Sequence, residues 1–481
     1  MQRKESFLKQ IFQLATGAMI NLVIGVLTAP IITRLVDPNE YGQLSLFNTY
    51  SSIALMVFVL GLDQTFVRYF YIEKEKKYQK KLLSFCIGLP VILAAIGSIV
   101  ILLCHLANPT FLGFDNIIIW CFVINIYILI LNRFGMLVLR LQYKTALYSA
   151  MNILHKVLYV VIVIPLAIFL KRHYLYILVF ATLISVLVTA IISVISERSF
   201  WFEKVSDYDL PVSKKEMIQF GFPLMIASGV FLLFQATDKL CVKYYGTYSD
   251  VGVYSSAQNL MAVFSIIQTT FNTLWAPKAI DHYETNPDDR SFYIKMNQII
   301  TVLMFLFGSC VLLCKDLFVL LLGEKYREAS AIIPFLMFNP IMYTVSETTV
   351  TGLSITKHTT SQVIITGVSA VVNLFGNMLL IPILGSKGAA VSTGLSYIVF
   401  FTLRTVFSNH YFPIDFKLNR FYLLTIVFAA GSFYHMFHSF NIIIVGIFVV
   451  SIACICILYR DTIRDILTLG KDQLSKLRKK I

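Results

Sequence analysis

Apolar residues occur along this chain in long runs separated by short polar segments. Runs of about 20 residues suit helices that cross a bilayer, because a helix of that length spans the hydrocarbon core. A membrane β-barrel would instead show shorter segments in which apolar and polar residues alternate. We therefore predict fourteen helices, at residues 8–35, 41–70, 81–106, 115–140, 146–170, 173–197, 215–243, 252–279, 293–322, 329–355, 361–385, 388–410, 421–437 and 440–459.

The composition supports an all-α integral membrane protein. Of the 481 residues, 57% are hydrophobic and 14% are charged, and the mean hydropathy is +0.76. A soluble globule of this size needs more polar surface than these fractions provide. The class of soluble proteins is therefore excluded.

The net charge of +14 lies mainly in short loops between the predicted helices and in the C-terminal tail. Lys74, Lys76 and Lys77 fall in one such loop, whereas the predicted outer loop 106–116 contains no Lys or Arg. Cytoplasmic loops are enriched in basic residues, so this distribution predicts that both termini are cytoplasmic. It indicates topology and contact with anionic lipid, and it gives no reason to expect a nucleic-acid partner.

Weak internal similarity indicates a duplicated chain. The segments Glu40–Gly42 and Asp250–Gly252, the residues Lys144 and Lys357, and two prolines at 165 and 382 recur at offsets of 210 (252 − 42), 213 (357 − 144) and 217 (382 − 165). Six crossings return a chain to the same side, so the two halves would be parallel repeats. We predict two pseudo-symmetric six-helix bundles, two added helices and a basic amphipathic tail on the inner leaflet. The predicted bounds are 1–200 and 217–411 for the bundles, 201–216 for a cytoplasmic linker, 412–459 for the added helices and 460–481 for the tail.

Polar and charged side chains recur at helical spacing inside several predicted spans, where a charge is costly unless it faces water or a partner. These stripes predict a hydrated central cavity. Gln and Asn side chains could instead only join neighbouring helices, Arg140 could extend to the interface, and Asp238 and Lys239 could form a structural ion pair. The stripes pair Gln64 with Arg68, Arg133 with Arg140, Asn152 with Lys156, Gln235 with both Asp238 and Lys239, Gln268 with Asn272, Glu347 with Thr351, and Asn373 with Asn377.

Catalytic and metal-binding motifs are missing from the sequence. There is no phosphate-binding loop, no H-E-x-x-H, no G-x-S-x-G and no C-x-x-C, and the cysteines have no metal-site spacing. The sequence predicts that the protein is not an enzyme and has no bound cofactor. Without an ATP site, energy for transport would come from a gradient.

Three motifs resemble bacterial polysaccharide flippases of the multidrug/oligosaccharidyl-lipid/polysaccharide exporter (MOP) superfamily, the O-antigen transporter-like branch. Thr33-Arg34-Leu35 with Asn39–Gly42, Gly61-Leu62 and Arg68 resembles their first two helices. Asp238-Lys239-Leu240 with Val251–Ser255 resembles helices seven and eight, and Ile381–Gly385 with Gly388–Val391 resembles the turn between helices eleven and twelve. Lys239 departs from the family, which often has Arg there, and Lys cannot form a bidentate contact.

This resemblance implies a flippase that moves a polyprenyl-pyrophosphate-linked oligosaccharide, a unit of capsule, O-antigen or teichoic acid, to the outer leaflet by alternating access. It implies a bacterial cytoplasmic membrane, a monomer, and association with glycan polymerase machinery, with H⁺ or Na⁺ as coupling ion. We predict Asp238 or Glu347 for ion coupling. The predicted substrate-binding residues are Arg68, Arg133, Arg140, Lys156, Lys239, Arg404, Gln64, Asn152, Gln268, Asn272, Asn373 and Asn377.

Three alternatives stay open at the level of sequence. A lipid II flippase is a close relative of the favoured function. A multidrug or cation antiporter of the same superfamily would favour an acidic cavity, against which the basic stripes argue. A membrane glycan polymerase would need a large extracytoplasmic loop, and the predicted outer loops are short.

Overall fold

The computed structural model describes residues 17, 20, 23–25, 27–202, 210–356, 358–465 and 467–468. Every regular element in these ranges is a helix. Contacts divide the chain into two compact units, unit 1 (Met1–Leu233) and unit 2 (Phe234–Ile481), and the division falls inside one long helix. The predicted bundle, linker and tail bounds stay predictions.

The elements of unit 1 alternate long apolar helices with short turns. They are α1 (Val23–Leu35), α2 (Pro38–Val59), α3 (Leu62–Tyr69), α4 (Lys76–Ala107), α5 (Asn116–Leu141), α6 (Thr145–Leu170), α7 (Tyr174–Ser196), α8 (Arg198–Phe202) and the first part of α9 (Lys214–Tyr245). Residues that suit a helix start occur at two of these helices. Pro38 is the first residue of α2, and the Asp115 side chain accepts a hydrogen bond from the Ile118 N–H at the start of α5.

The elements of unit 2 follow the same plan with more interruptions. They are α10 (Tyr248–Met261), α11 (Ser265–Thr285), α12 (Ser291–Leu313), α13 (Lys315–Leu320), α14 (Ala329–Leu336), α15 (Phe338–Thr349), α16 (Thr351–Ile355), α17 (Thr359–Leu384), α18 (Ser386–Tyr411), α19 (Leu418–Phe437) and α20 (Ile442–Leu458). A capping box between Thr247 and Asp250 starts α10. Gly385, with φ +59° and ψ −141°, makes the tight turn between α17 and α18.

Ten helices in the described residues are long and apolar enough to cross a membrane. The prediction of an all-α, multi-pass membrane protein is confirmed, while the count of fourteen stays a prediction. The start of the first predicted helix, Lys357, residues 203–209 of the linker and most of the basic tail lie outside the described residues.

Several helices predicted as continuous are interrupted. The predicted helix 41–70 breaks at Leu60 and Gly61, which both have positive φ, and 252–279 breaks at a 3₁₀ turn, Ala262–Phe264. The predicted helix 293–322 breaks at Cys314, and 329–355 is divided into α14, α15 and α16. Apolar side chains continue across the breaks at Leu60 and at Ala262–Phe264, so hydropathy does not register those two.

The last two helices are part of unit 2. On α19, the Phe428 ring lies 5.5 Å from that of Phe305 on α12 and 5.3 Å from that of Phe338 on α15. At the turn between α19 and α20, the Phe440 N–H donates to the Asp316 carboxylate at 2.8 Å. The two helices therefore cover apolar surface that the rest of unit 2 would otherwise expose.

Candidate functional site

Unit 1 contains a cavity of about 350 Å³. Its walls come from α2, the start of α3, the middle of α5 and the first part of α9. Most of the lining side chains are apolar, and its two charged residues are Asp63 on α3 and Arg133 on α5. The lining residues are Ser52, Leu55, Met56, Val59, Gly61, Asp63, Gln64, Arg133, Leu224, Met225, Ser228 and Leu232.

The break between α2 and α3 positions Asp63 and Gln64 in the lining of this cavity. Leu60 and Gly61 turn the chain with φ of +54° and +73°. Gly61 packs so closely on α9 that a Cβ there would lie 2.1 Å from the carbonyl oxygen of Gly221. One turn later, the Thr65 hydroxyl donates to the Met217 carbonyl at 3.0 Å. The start of α3 is therefore fixed against α9, and only glycine fits at this crossing.

Asp63 and Arg133 form an ion pair in the cavity wall. The Arg133 Nε and Nη2 atoms donate to Asp63 Oδ2 at 3.0 and 2.5 Å. Asp63 Oδ1 accepts from the Gln64 backbone N–H at 2.9 Å, and Oδ2 accepts from Gln64 Nε2 at 3.3 Å. The Asp63 side chain is 12% exposed, whereas that of Arg133 is 45% exposed. The arginine therefore carries the accessible charge of the pair.

The other predicted residues of unit 1 do not line this cavity. Arg68, in the last turn of α3, and Arg140, at the end of α5, are exposed, and neither forms an ion pair with a residue that the structure describes. Asn152 donates to the Tyr148 carbonyl on its own helix at 3.0 Å. Lys156 is half-buried on α6, with no ion-pair partner in the described part of the chain.

Unit 2 holds the buried carboxylate of Asp238, which is 2% exposed. Asn373 and Asn377 donate to its Oδ1 at 3.0 and 2.9 Å, and the hydroxyls of Tyr254 and Thr393 donate to its Oδ2, each at 2.6 Å. These donors come from α10, α17 and α18, and all of them are uncharged. The structure therefore assembles a carboxylate with four neutral hydrogen-bond donors.

The ion pair between Asp238 and Lys239 that the sequence left open is not formed within the described structure. Lys239 is half-buried on α9 with no ion-pair partner among the described residues. Gln268 is half-buried on α11, and the buried Oδ1 of Asn272 accepts no hydrogen bond from any described residue.

Glu347 and Arg404 pair with each other. Arg404 Nη1 lies 2.7 Å from Glu347 Oε1 and donates to the Ser346 hydroxyl at 2.6 Å. The guanidinium carbon of Arg404 lies 5.1 Å from the Tyr343 ring centroid and 4.9 Å from that of Phe400. Cation–π contacts of this kind add to the ion pair. The carboxylate of Glu347 is therefore already neutralised by a cation, which distinguishes it from that of Asp238.

Sequence reasoning did not select three of these functional residues. They are Asp63, Tyr254 and Thr393. Their spacing gives no signal, because each meets its partner across helices. A weak signal was available: buried hydroxyls in an apolar helix bond either to their own backbone or to a distant polar group.

Clusters of acidic, histidine and cysteine side chains, and disulfides, are not found among the described residues. No group of three or more His, Cys, Asp or Glu side chains that could hold a metal lies within them. The eight cysteines are free thiols. The chemistry that this arrangement offers is charge pairing and hydrogen bonding inside apolar helices.

The family described as polysaccharide biosynthesis protein matches residues 7–278, more than half of the chain. No curated protein sequence matches it.

Solved transporter structures share the fold. A lipid II flippase, MurJ, in an inward closed conformation has a TM-score of 0.69 at 13% identity, and covers 94% of this chain and 99% of that chain. An inward-facing multidrug resistance MATE family transporter of the MOP superfamily has a TM-score of 0.57 at 15% identity, with coverages of 83% and 97%. A MOP superfamily transporter from Pyrococcus furiosus, with a binding pocket of reverse polarity, has a TM-score of 0.52 at 16% identity, with coverages of 84% and 95%. At these identities the similarity concerns the fold alone.

Proposed function

Because this chain belongs to the polysaccharide biosynthesis protein family, we propose that it is a flippase for a polyprenyl-pyrophosphate-linked oligosaccharide. It carries the sugar and pyrophosphate from the cytoplasmic to the outer leaflet by alternating access, as a monomer in a bacterial cytoplasmic membrane with both termini cytoplasmic. Three observations support the proposal: the family match, the multi-pass helical fold, and the fold shared with MOP transporters.

The observation that carries this proposal is the accessible guanidinium of Arg133 in the wall of a cavity within a membrane-spanning unit. A diphosphate entering a bilayer needs a cation and charge-assisted hydrogen bonds, since it cannot otherwise leave water. The neighbouring Ser52, Gln64 and Ser228 offer hydroxyl and amide groups that suit sugar hydroxyls. Arg68, Arg140, Lys156 and Lys239 stay proposed contacts for other stages of the transport cycle.

We assign ion coupling to Asp238 in preference to Glu347. Arg404 neutralises Glu347, whereas the described donors to Asp238 are all uncharged. A buried carboxylate that has only neutral donors keeps an unbalanced negative charge, so taking up a positive charge would stabilise it. A proton or a Na⁺ ion would supply that charge. Asn373 and Asn377, which the sequence predicts as sugar contacts, would then belong to the ion site.

A flux assay tests the proposal. Purified protein in liposomes is given a fluorescent polyprenyl-pyrophosphate oligosaccharide, and the label in the outer leaflet is quenched to follow transfer. We expect transfer in the wild type and a loss of roughly ten- to hundredfold in Arg133→Ala, because charge-assisted hydrogen bonds contribute about 1.5–3 kcal/mol. Arg172→Ala, in the exposed turn before α7, is the matched control. Transfer that is equal in empty liposomes and in wild type would refute the function.

The same liposomes test ion coupling. Imposed Na⁺ and H⁺ gradients should change the rate for the wild type with one of the two ions, and Asp238→Asn should abolish that dependence. A gradient response that survives in Asp238→Asn and disappears in Glu347→Gln would reverse the assignment.

Lipid II transport is a second candidate, favoured by the shared fold with the MurJ lipid II flippase. Both substrates have a polyprenyl-pyrophosphate, so the accessible Arg133 suits either one. Competition in the flux assay between lipid II and a surface-glycan intermediate separates them, since the true substrate should inhibit transfer of the other at lower concentration.

A further inference from the structure

The cavity of unit 1 suits a compact anion. Its volume of about 350 Å³ lies near the lower end of the range of roughly 300–1,000 Å³ for small-molecule sites. Arg133 and Asp63 are its charged lining residues, and the rest of the lining is neutral. A phosphate group fits this description better than a whole oligosaccharide does.

Arg133 uses only part of its guanidinium in the ion pair. Its Nε and Nη2 atoms donate to one oxygen of Asp63, while Nη1 donates to no residue that the structure describes. A guanidinium has five N–H donors in a rigid plane and can bind two oxygens along each edge. The edge formed by Nη1 and Nη2 therefore stays available on a side chain that is 45% exposed.

Asp63 is held more tightly than its partner. Its carboxylate accepts hydrogen bonds from the backbone and the side-chain amide of Gln64, on a helix fixed to α9 through Gly61. If Arg133 left it, a nearly buried carboxylate would lose its cation, which is strongly unfavourable. The ion pair should therefore persist when an anion enters the cavity.

We propose that Asp63 is a positioning residue: it braces one edge of the Arg133 guanidinium so that the free edge binds a phosphate of the lipid diphosphate in a bidentate manner. This inference rests on the proposed function and adds a specific role for a residue outside the predicted site. Bracing fixes the angle of the donors before the ligand arrives, which reduces the ordering cost of binding.

If Asp63 competes with the ligand instead of positioning Arg133, removal of its charge should change the Kd in the opposite direction. If Asp63 only competed with the ligand for Arg133, removing its charge would tighten anion binding. If Asp63 braces Arg133, the same change weakens binding although the cavity becomes more positive. The direction of the change in Kd therefore decides between the two roles.

The experiment measures binding of geranyl pyrophosphate to the full chain in detergent. We expect Asp63→Asn to weaken binding on the order of tenfold, the size of effect seen when a group that orients a ligating side chain is removed. Arg133→Lys should weaken binding by a similar factor, because Lys keeps the positive charge but cannot bind phosphate in a bidentate manner. The double variant should be no weaker than either single variant, and Asp63→Glu should recover part of the affinity.

The control is Asp115→Asn, the same substitution at the start of α5, where Asn also caps a helix well; its Kd should not change. Unchanged or tighter binding in Asp63→Asn overturns the inference. If that variant does not fold, wild-type affinity in Arg133→Lys overturns it instead.

The outcomes also separate this inference from the proposed function. If the wild type transports the lipid-linked sugar and Asp63→Asn binds normally, only the inference fails. If the wild type neither binds nor transports, the proposed function itself is refuted.

Discussion

Carboxylates inside the apolar helices are compensated in different ways. Asp63 and Glu347 each have an arginine, while Asp238 has only neutral donors among the described residues. Transfer of an ionised carboxylate from water to an apolar interior is unfavourable unless such partners are present. The type of partner therefore separates the two carboxylates that are paired with an arginine from the one that we propose for ion coupling.

The pair of Glu347 and Arg404 should be sensitive to the loss of one partner. Arg404 is 6% exposed, so Glu347→Gln leaves a buried cation uncompensated, at a cost of about 3–5 kcal/mol. The double variant with Arg404→Met should be more stable than Glu347→Gln alone, because neither charge remains. Thermal unfolding of the detergent-solubilised variants measures the difference. A double variant less stable than Glu347→Gln would contradict this account.

Asp289, in the loop between α11 and α12, allows a prediction about pH. Hydrogen bonds from Ser291 and His282 lower the pKa of its carboxyl below the ordinary value, although partial desolvation opposes them. A lowered pKa in the folded state means that the stabilisation is complete above the ordinary pKa and is lost as pH falls through the folded value. The unfolding midpoint of Asp289→Asn should therefore lie below that of the wild type at pH 6 and approach it below about pH 4. A difference that is constant over this range would exclude the mechanism.

Residue positions on one helix could be predicted from the sequence, and contacts between helices could not. The spacing of Asn373 and Asn377 correctly places them on one face of α17, where Asn377 donates to the Asn373 side chain at 3.2 Å. Their shared acceptor, Asp238, is 135 and 139 residues away in the sequence. Spacing carries no information over such distances, so the site itself had to come from the structure.

At the scale of elements, hydropathy located the long helices well because the bilayer requires their length. It did not locate the interruptions. Leu60 is an apolar residue in a left-handed conformation, which its hydropathy does not indicate. The one sequence signal was Gly61, which is compatible with positive φ but also occurs in regular membrane helices.

Gly61→Ala should therefore damage folding. The added Cβ meets the Gly221 carbonyl at 2.1 Å, and the positive φ disfavours any other residue. We expect a lower unfolding midpoint and less cavity binding of geranyl pyrophosphate. Gly88→Ala on α4 is the matched control, because a Cβ there meets nothing within 4 Å, and alanine favours a helix by roughly 1 kcal/mol. Equal midpoints for the two variants would contradict the close approach.

At the scale of the whole molecule, the family and the all-α membrane fold were predicted correctly, because composition and three motifs were sufficient. The sequence repeat stays a prediction. Ligand identity is not encoded in hydropathy, so the glycan has to come from transport measurements.

The predicted topology can be checked over the whole chain. Alkaline phosphatase is active only outside the cytoplasm, so fusions after Asn108 should be active and fusions after Lys74 inactive. The physical reason is the cluster of lysines near residue 74 and their absence from 106–116. Activity in the opposite pattern would place the termini outside.

The contact between Asp316 and the turn before α20 bears on how far this protein can be shortened. A chain that ends at Tyr411 lacks α19 and α20. Phe305 and Phe338 would lose their contact with the Phe428 ring. The Asp316 carboxylate would lose the hydrogen bond from the Phe440 N–H. Such a product should be degraded by quality-control proteases rather than survive as a smaller transporter. A shortened protein made for purification should therefore keep every helix through Leu458.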